Sequence, residues 1–232
     1  MKELSIIIPV YNEKKTILQI IDKINKVKNI SKQIIVVDDY SVDGSREILL
    51  KNKNKIGSLL LHDKNQGKGA AIRTAQKYIR GKYTVIQDAD LEYNPNDYMS
   101  LLKVIKKKNF SVVYGSRVLN KKRYQLESFT STTRIFFNHI LTMLSNLINN
   151  QKLTDAHTCF KMFESKLFKS IILKEYGFAF CPEITTKISN LEINIFEVPI
   201  SYRGRTFEEG KKISYLDGIR AIYAIFKYKF FR

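Results

Sequence analysis

No stretch of this 232-residue chain approaches the ~18–20 uninterrupted apolar residues that a membrane-spanning helix requires, so no transmembrane segment is expected. The N-terminus runs straight into an apolar segment at residues 4–10, too short and wrongly flanked for a signal peptide. A cytoplasmic protein is therefore expected. Cysteine is scarce: Cys159 and Cys181 make neither a C-x-x-C pair nor a disulfide framework, which fits a reducing compartment. Repeats, low-complexity tracts and a clear interdomain linker are also lacking. Acidic residues are few, 22 against 40 Lys and Arg, for a net charge of +18. That excess fits nucleic acid, an anionic membrane surface, or the compositional drift of a chain rich in Lys, Asn and Ile. No nucleic-acid recognition motif accompanies it, so no nucleic-acid partner is expected.

The apolar and aromatic content is that of a folded protein, and the length suits one large domain or one domain with a small appendage. Residues 4–10 read as a strand. Residues 14–27 read as a helix, with Ile17, Ile20, Ile21 and Ile24 at helical spacing. Strands follow at 33–37, 58–61, 83–87 and 110–114. Helices come between them at 45–50, with Asp43 or Ser45 as the cap, at 67–79, and from Pro95 to about 107. This alternation predicts an α/β fold with a mostly parallel sheet covered on both faces. The second half predicts helices at 134–148, 180–190 and 214–231, a loop and strand over 155–163, a strand at 193–198 and a basic loop at 203–212.

In a parallel sheet ligands bind beyond the carboxyl ends of the strands. Tyr11-Asn12-Glu13, Asp38-Asp39, residues 65–68 and Asp88-Ala89-Asp90-Leu91-Glu92 all follow predicted strands, which sorts four polar clusters onto one edge. In the last cluster Asp88, Asp90 and Glu92 can converge on a hard cation such as Mg²⁺ or Mn²⁺. An isolated Asp-x-Asp is more often a polar turn, so its neighbours carry the argument.

Those neighbours form an ordered set. Ile7-Ile8-Pro9-Val10-Tyr11-Asn12-Glu13, Val36-Val37-Asp38-Asp39, Asn65-Gln66-Gly67-Lys68-Gly69, Gln87-Asp88-Ala89-Asp90, Tyr114-Gly115-Ser116-Arg117 and Pro182-Glu183 resemble the family 2 glycosyltransferases. Within that family they resemble the polyprenyl-phosphate branch typified by dolichyl-phosphate mannose synthase. The resemblance covers nearly the whole chain and implies a Rossmann-like GT-A fold and inverting transfer from a nucleotide sugar. By matched position Pro9, Tyr11, Glu13, Val37, Asp38 and Asp39 line the nucleoside pocket, with Lys68 and Ala89 beside it; Asp38 alternatively caps the next turn. Asp88, Asp90 and Glu92 match the metal positions, where an ion neutralises the departing diphosphate. Arg117, Arg205 and Lys211 match phosphate-facing positions, while Arg134 with Ser131 or Thr132 is a looser match for holding the acceptor phosphate. Arg117 read alone is a surface ion pair. Asp155 stands where relatives place a base or an orienting group, and His157 reads as structural.

A polyprenyl phosphate is already anionic and needs no base, whereas a hydroxyl acceptor does. The helices at 134–148 and 214–231 are amphipathic and flanked by basic residues, which suits a membrane interface as well as core packing or a dimer face. The expectation is a catalytic domain at 1–212 and an interfacial helix at 213–232, peripheral on the cytoplasmic face of a membrane. It moves a hexose from GDP-mannose or UDP-glucose to a polyprenyl phosphate. The alternatives are transfer to a hydroxyl of a cell-envelope glycan, and a non-catalytic basic protein that binds membrane or nucleic acid.

Overall fold

A strand that is apolar on consecutive residues must be covered on both faces, and β1 (Leu4–Val10) is. In the computed structural model, which describes residues 2–107, 110–120, 132–205 and 215–231, β1 lies inside a seven-stranded sheet. The other strands are β2 (Lys32–Asp38), β3 (Ser58–Leu61), β4 (Tyr83–Ile86), β5 (Val112–Ser116), β6 (Lys161–Glu164) and β7 (Phe196–Pro199), in the order β3-β2-β1-β4-β6-β5-β7. The sheet is parallel except for β6, which runs antiparallel to both β4 and β5. This is the expected α/β architecture, with one reversed strand that spacing alone did not predict.

Helices α1 (Ile17–Lys26), α2 (Ser45–Lys51), α3 (Lys68–Gln76) and α4 (Tyr98–Lys107) connect the parallel strands. Ile17, Ile20, Ile21 and Ile24 of α1 are all buried, as their spacing requires. The helix begins at Ile17 rather than at residue 14, because Glu13 O accepts from Thr16 N and Ile17 N in a preceding turn. At α2 the N-cap is Gly44, in a left-handed conformation at φ 99°. Asp43 supports that turn by accepting from Ser45 N and Ser45 Oγ. The six-residue α6 (Ser165–Ser170) was not read from the sequence, since under two turns give no usable period.

The second half adds α5 (Thr132–Asn149), α7 (Phe180–Asn190) and α8 (Tyr215–Phe230), which pack against one another. Here helix polarity is partly inverted. The buried side of α5 includes Thr142, Ser145 and Asn149, while Phe136, Phe137, Ile140, Met143 and Leu147 are exposed. Along α8, Ala221, Ala224, Ile225 and Tyr228 face inward, and Leu216, Ile219, Ile222, Tyr223, Phe226 and Phe230 face outward. Among the described residues no helix is long and apolar enough to cross a membrane.

Candidate active site

The four polar clusters do lie beyond the carboxyl ends of β1, β2, β3 and β4. Pro9 pairs in register with Val37 and Val10 with Asp38, so the first two clusters are adjacent by strand pairing. Hydrogen bonds knit their loops together: Asn12 N donates to Ser41 Oγ (2.9 Å), Glu13 N to Ser45 Oγ (2.8 Å) and Lys14 N to Asp43 Oδ2 (2.9 Å). Three non-glycine residues in these loops, Asn12, Tyr40 and Leu91, adopt φ of 50°, 66° and 63°. Such left-handed turns cost energy and persist where surrounding bonds enforce them.

Asp38 and Asp39 are both buried and serve different partners. Asp38 Oδ2 accepts from Arg46 Nε (2.6 Å) and Ser41 N (3.3 Å), so the turn role is real; its buried Oδ1 has no hydrogen-bond partner among the described residues. Asp39 accepts from His62 Nδ1 (2.7 Å), Asn65 Nδ2 (3.0 Å), Gln66 N (2.9 Å) and Gly67 N (2.7 Å). It thereby shapes the 65–67 loop. Nothing in the sequence marked His62 or Arg46 for these tasks: His62 reaches Asp39 from the end of the neighbouring strand, and Arg46 reaches back to Asp38 from α2. Tyr11 is half-exposed beside these loops, while Val37 and Ala89 are buried in the core.

At the end of β4, Asp88 Oδ1 accepts from Lys68 Nζ at 2.5 Å. Burial works against both charges, but each outweighs it for the other, so the Lys68 pKa is raised and that of Asp88 lowered. Asp90 behaves oppositely. Burial first, then repulsion from Asp88 and Glu92, pushes its carboxyl up to about 7, with Arg205 offsetting part of the rise. Arg205 Nη2 lies 3.0 Å from Asp90 Oδ2 and 3.2 Å from Glu13 Oε1, and Nη1 lies 3.0 Å from Glu13 Oε2. One guanidinium thus bridges the first and fourth clusters.

Glu92 has a separate task. Its Oε1 accepts from Arg205 N (2.8 Å), its Oε2 from Tyr202 Oη (2.8 Å), and its carbonyl from Arg203 N (2.9 Å). Tyr202 also packs edge-on against Tyr93 at 5.2 Å. Glu92 therefore fastens the 202–205 segment beside the carboxylates. The hard oxygen donors of Asp88 and Asp90 suit Mg²⁺ or Mn²⁺, and a cationic group already stands against Asp90. Among the described residues, however, no three carboxylates, imidazoles or thiols converge on one point as arranged. Both oxygens of Glu92 and both of Asp90 accept from protein donors in this arrangement.

Arg117 and Asp155 form a buried, two-point ion pair, Nε to Oδ2 at 2.7 Å and Nη2 to Oδ1 at 2.8 Å. The pairing is not the surface salt bridge that Arg117 suggested in isolation. Burial opposes the Asp155 charge, and Arg117 outweighs it, holding that carboxyl below the usual range. A carboxylate so held is a poor proton acceptor but a firm anchor for a guanidinium, which also lies under the Tyr202 ring at 5.1 Å. Burial, then Lys161, lowers the His157 pKa to about 4, in keeping with a structural histidine. Lys211 and Ser131 lie outside the described residues, as do the side chains of Thr132 and Arg134. A depression of about 350 Å³ lined by Lys2, Lys32, Lys55 and Arg80 lies at the opposite edge of the sheet and contains none of these carboxylates.

Gly67 and Gly69 explain the 65–69 motif. A Cβ on Gly69 would meet Glu175 O at 2.4 Å, and one on Gly67 would meet Tyr176 O at 2.5 Å. Only residues without side chains allow this loop to press against the 175–177 backbone.

The same chain is similar to known proteins. Over 217 residues it is 30% identical to a dolichyl-phosphate beta-glucosyltransferase of Trichomonas vaginalis, covering 86% of this chain and 65% of that one. It is 27% identical to a low-salt glycan biosynthesis hexosyltransferase of Haloferax volcanii, covering 94% of this chain and 52% of that protein. The chain thus spans less than two thirds of either relative. Among solved structures, glucosyl-3-phosphoglycerate synthase of Mycobacterium tuberculosis, in complex with Mn²⁺, uridine diphosphate and phosphoglyceric acid, superposes with a TM-score of 0.72. That match has 15% identity and covers 100% of this chain and 80% of that one, and it speaks for the fold, which is GT-A-like. The family model for glycosyl transferase family 2 matches residues 5–172, and the chain belongs to that family.

Proposed function

We propose that the protein transfers a hexose from a nucleotide sugar to a second substrate, at the edge where Arg205 bridges Glu13 and Asp90. That bridge carries the reading, because it gathers two strand-end clusters and a phosphate-seeking guanidinium around one point. Asp88 and Asp90 would hold Mg²⁺ or Mn²⁺, with Glu92 positioning the 202–205 segment. When bound, the ion supplies charge neutralisation for the leaving nucleoside diphosphate. Lys68 balances Asp88, Tyr11 offers a face to the base, and Arg117, held in orientation by Asp155, presents its charge toward phosphate.

The acceptor is a hydroxyl-bearing molecule in the reading that draws on the solved neighbours, among them a complex with UDP-glucose and phosphoglyceric acid. Asp155 is then not the base, since its carboxylate is committed to Arg117. A polyprenyl phosphate is the second reading. The outward apolar faces of α5 and α8 favour it, because a helix with polar groups inside and Phe, Leu and Met outside suits a lipid surface. The Trichomonas relative's name points the same way.

A mass-spectrometric assay separates the two: UDP-glucose or GDP-mannose with Mn²⁺, offered phosphoglyceric acid, an oligosaccharide, or a short polyprenyl phosphate. Product on the lipid alone selects the second reading. No product from any combination overturns both.

A further inference from the structure

The proposed donor side of the site is built against a loop, residues 174–178, that lies outside the family motifs but is contacted by two of them, at Gly67-Lys68-Gly69 and at Glu183. Residues 174–178 lie between α8 and the first turn of α3. On one side, the Glu175 carboxylate accepts from Tyr228 Oη (2.7 Å) and Lys227 Nζ (3.0 Å), both on α8. On the other, Tyr176 O accepts from Ala70 N (3.1 Å), Arg73 Nη1 donates to Lys174 O (3.2 Å), and the Arg73 guanidinium stacks over the Tyr176 ring at 4.7 Å. From below, the fully buried Glu183 accepts from Lys174 N (2.6 Å) and Glu175 N (2.9 Å). Glu175 O occupies the space that a Cβ on Gly69 would fill. The loop therefore has little freedom to move relative to α3 without carrying Lys68, the first residue of that helix, with it.

We propose that Glu175 is a positioning residue for the donor side of the site. By tying α8 to the 174–178 loop, it fixes the seat of Lys68 and, through the 2.5 Å ion pair, the orientation of Asp88. The proposal rests on the reading that Lys68 and Asp88 border the nucleotide sugar. A consequence is that α8, whose outer face is exposed and apolar, reports its position to the site through one carboxylate. Coupling of this kind needs a contiguous set of contacts with few soft links, and Tyr228–Glu175–Gly69–Lys68–Asp88 has only side-chain bonds at its two ends.

The test uses the whole chain with Glu175→Gln, Tyr228→Phe, Lys68→Met and the double variant Tyr228→Phe/Lys68→Met. Amide hydrogen exchange comes first because it needs no ligand. Glu175→Gln and Tyr228→Phe are expected to speed exchange at Ala70 and Ala71 by about tenfold while β1 amides keep their protection. Unchanged exchange at Ala70 and Ala71, or loss of protection spread equally over β1, overturns the proposal. Calorimetric titration with UDP and GDP in the presence of Mn²⁺ comes second. Glu175→Gln is expected to weaken nucleotide binding about five- to tenfold and raise KM with kcat within about twofold. Tyr228→Phe and Lys68→Met should combine less than additively. Additive effects, or a fall in kcat with KM unchanged, also overturn it. If the unaltered protein binds neither nucleotide, the reading of the donor site fails, and the exchange result still decides whether Glu175 couples α8 to α3.

Discussion

Arg205 sets its Nη2 3.0 Å from Asp90 Oδ2, so a side chain of the same chain pairs with a carboxylate of the cluster that follows β4. The same guanidinium is bidentate on Glu13, and its backbone N–H is held by Glu92. On the proposed reading Asp90 would help hold the ion, and Arg205 would have to leave it to do so, free then to offer its charge to phosphate.

Arg205→Met should therefore separate two effects. Mn²⁺ binding without nucleotide, followed by electron paramagnetic resonance titration, is expected to tighten by up to about fivefold, the ~1 kcal/mol upper worth of one ion pair open to solvent. Turnover is expected to fall by about 100-fold, since the phosphate contact is lost. Weaker Mn²⁺ binding by the variant would remove the idea that Arg205 competes with the ion.

Asp90→Asn is expected to abolish detectable transfer while leaving the fold intact. The side chain keeps its volume, and the Glu92 anchor to Tyr202 does not involve it. Circular dichroism and thermal melting should match those of the unaltered protein; retained turnover would take Asp90 out of the metal site.

Asp155→Ala removes the carboxylate that makes a two-point ion pair with Arg117, which is only 8% exposed. A cost of about 3–5 kcal/mol is expected in urea unfolding. The pH dependence has a definite sign. Because Arg117 lowers the folded pKa of Asp155, this stabilisation is present above the ordinary carboxylate value near pH 4 and is lost as pH falls through the lower folded value.

His157 acts in a different window. Its folded pKa of about 4 lies below the ordinary value of about 6.5, so between these the unfolded chain takes up a proton that the folded one refuses. Stability should be complete above about pH 6.5 and decline as pH falls toward 4. His157→Gln is expected to flatten the melting temperature across that interval, and an unaltered slope would assign the decline to other groups.

Two glycines should respond oppositely to alanine. At Gly69 the added Cβ meets backbone at 2.4 Å, so Gly69→Ala is expected to destabilise by about 1–3 kcal/mol and weaken nucleotide binding. At Gly218, inside α8, nothing lies within 4 Å, so Gly218→Ala is expected to stabilise by up to about 1 kcal/mol. Thermal melts of the pair provide the comparison.

The sheet edge was readable because apolar β-branched runs ended in polar clusters, and a parallel sheet leaves those ends on one side. Ile17, Ile20, Ile21 and Ile24 announced α1 by their period alone. Reversal of β6 was not readable, since strand direction depends on where the chain returns, and residues 161–164 read the same either way. Partnerships were equally hidden. Nothing along the 28 positions that separate Gly67 from Asp39 signals that one carboxylate would collect His62, Asn65, Gln66 and Gly67.

Sequence by itself determined which side chains have the chemistry: hard oxygen donors at Asp88 and Asp90, guanidinium at Arg117 and Arg205, and glycine at 67 and 69. Tertiary structure decided what each is free to do. Glu92 became an anchor because both of its oxygens face the 202–205 segment, and Asp155 became a holder of Arg117 because burial leaves that pair no water to turn to. Composition supplies donors and charges, but desolvation and distance choose among their possible partners.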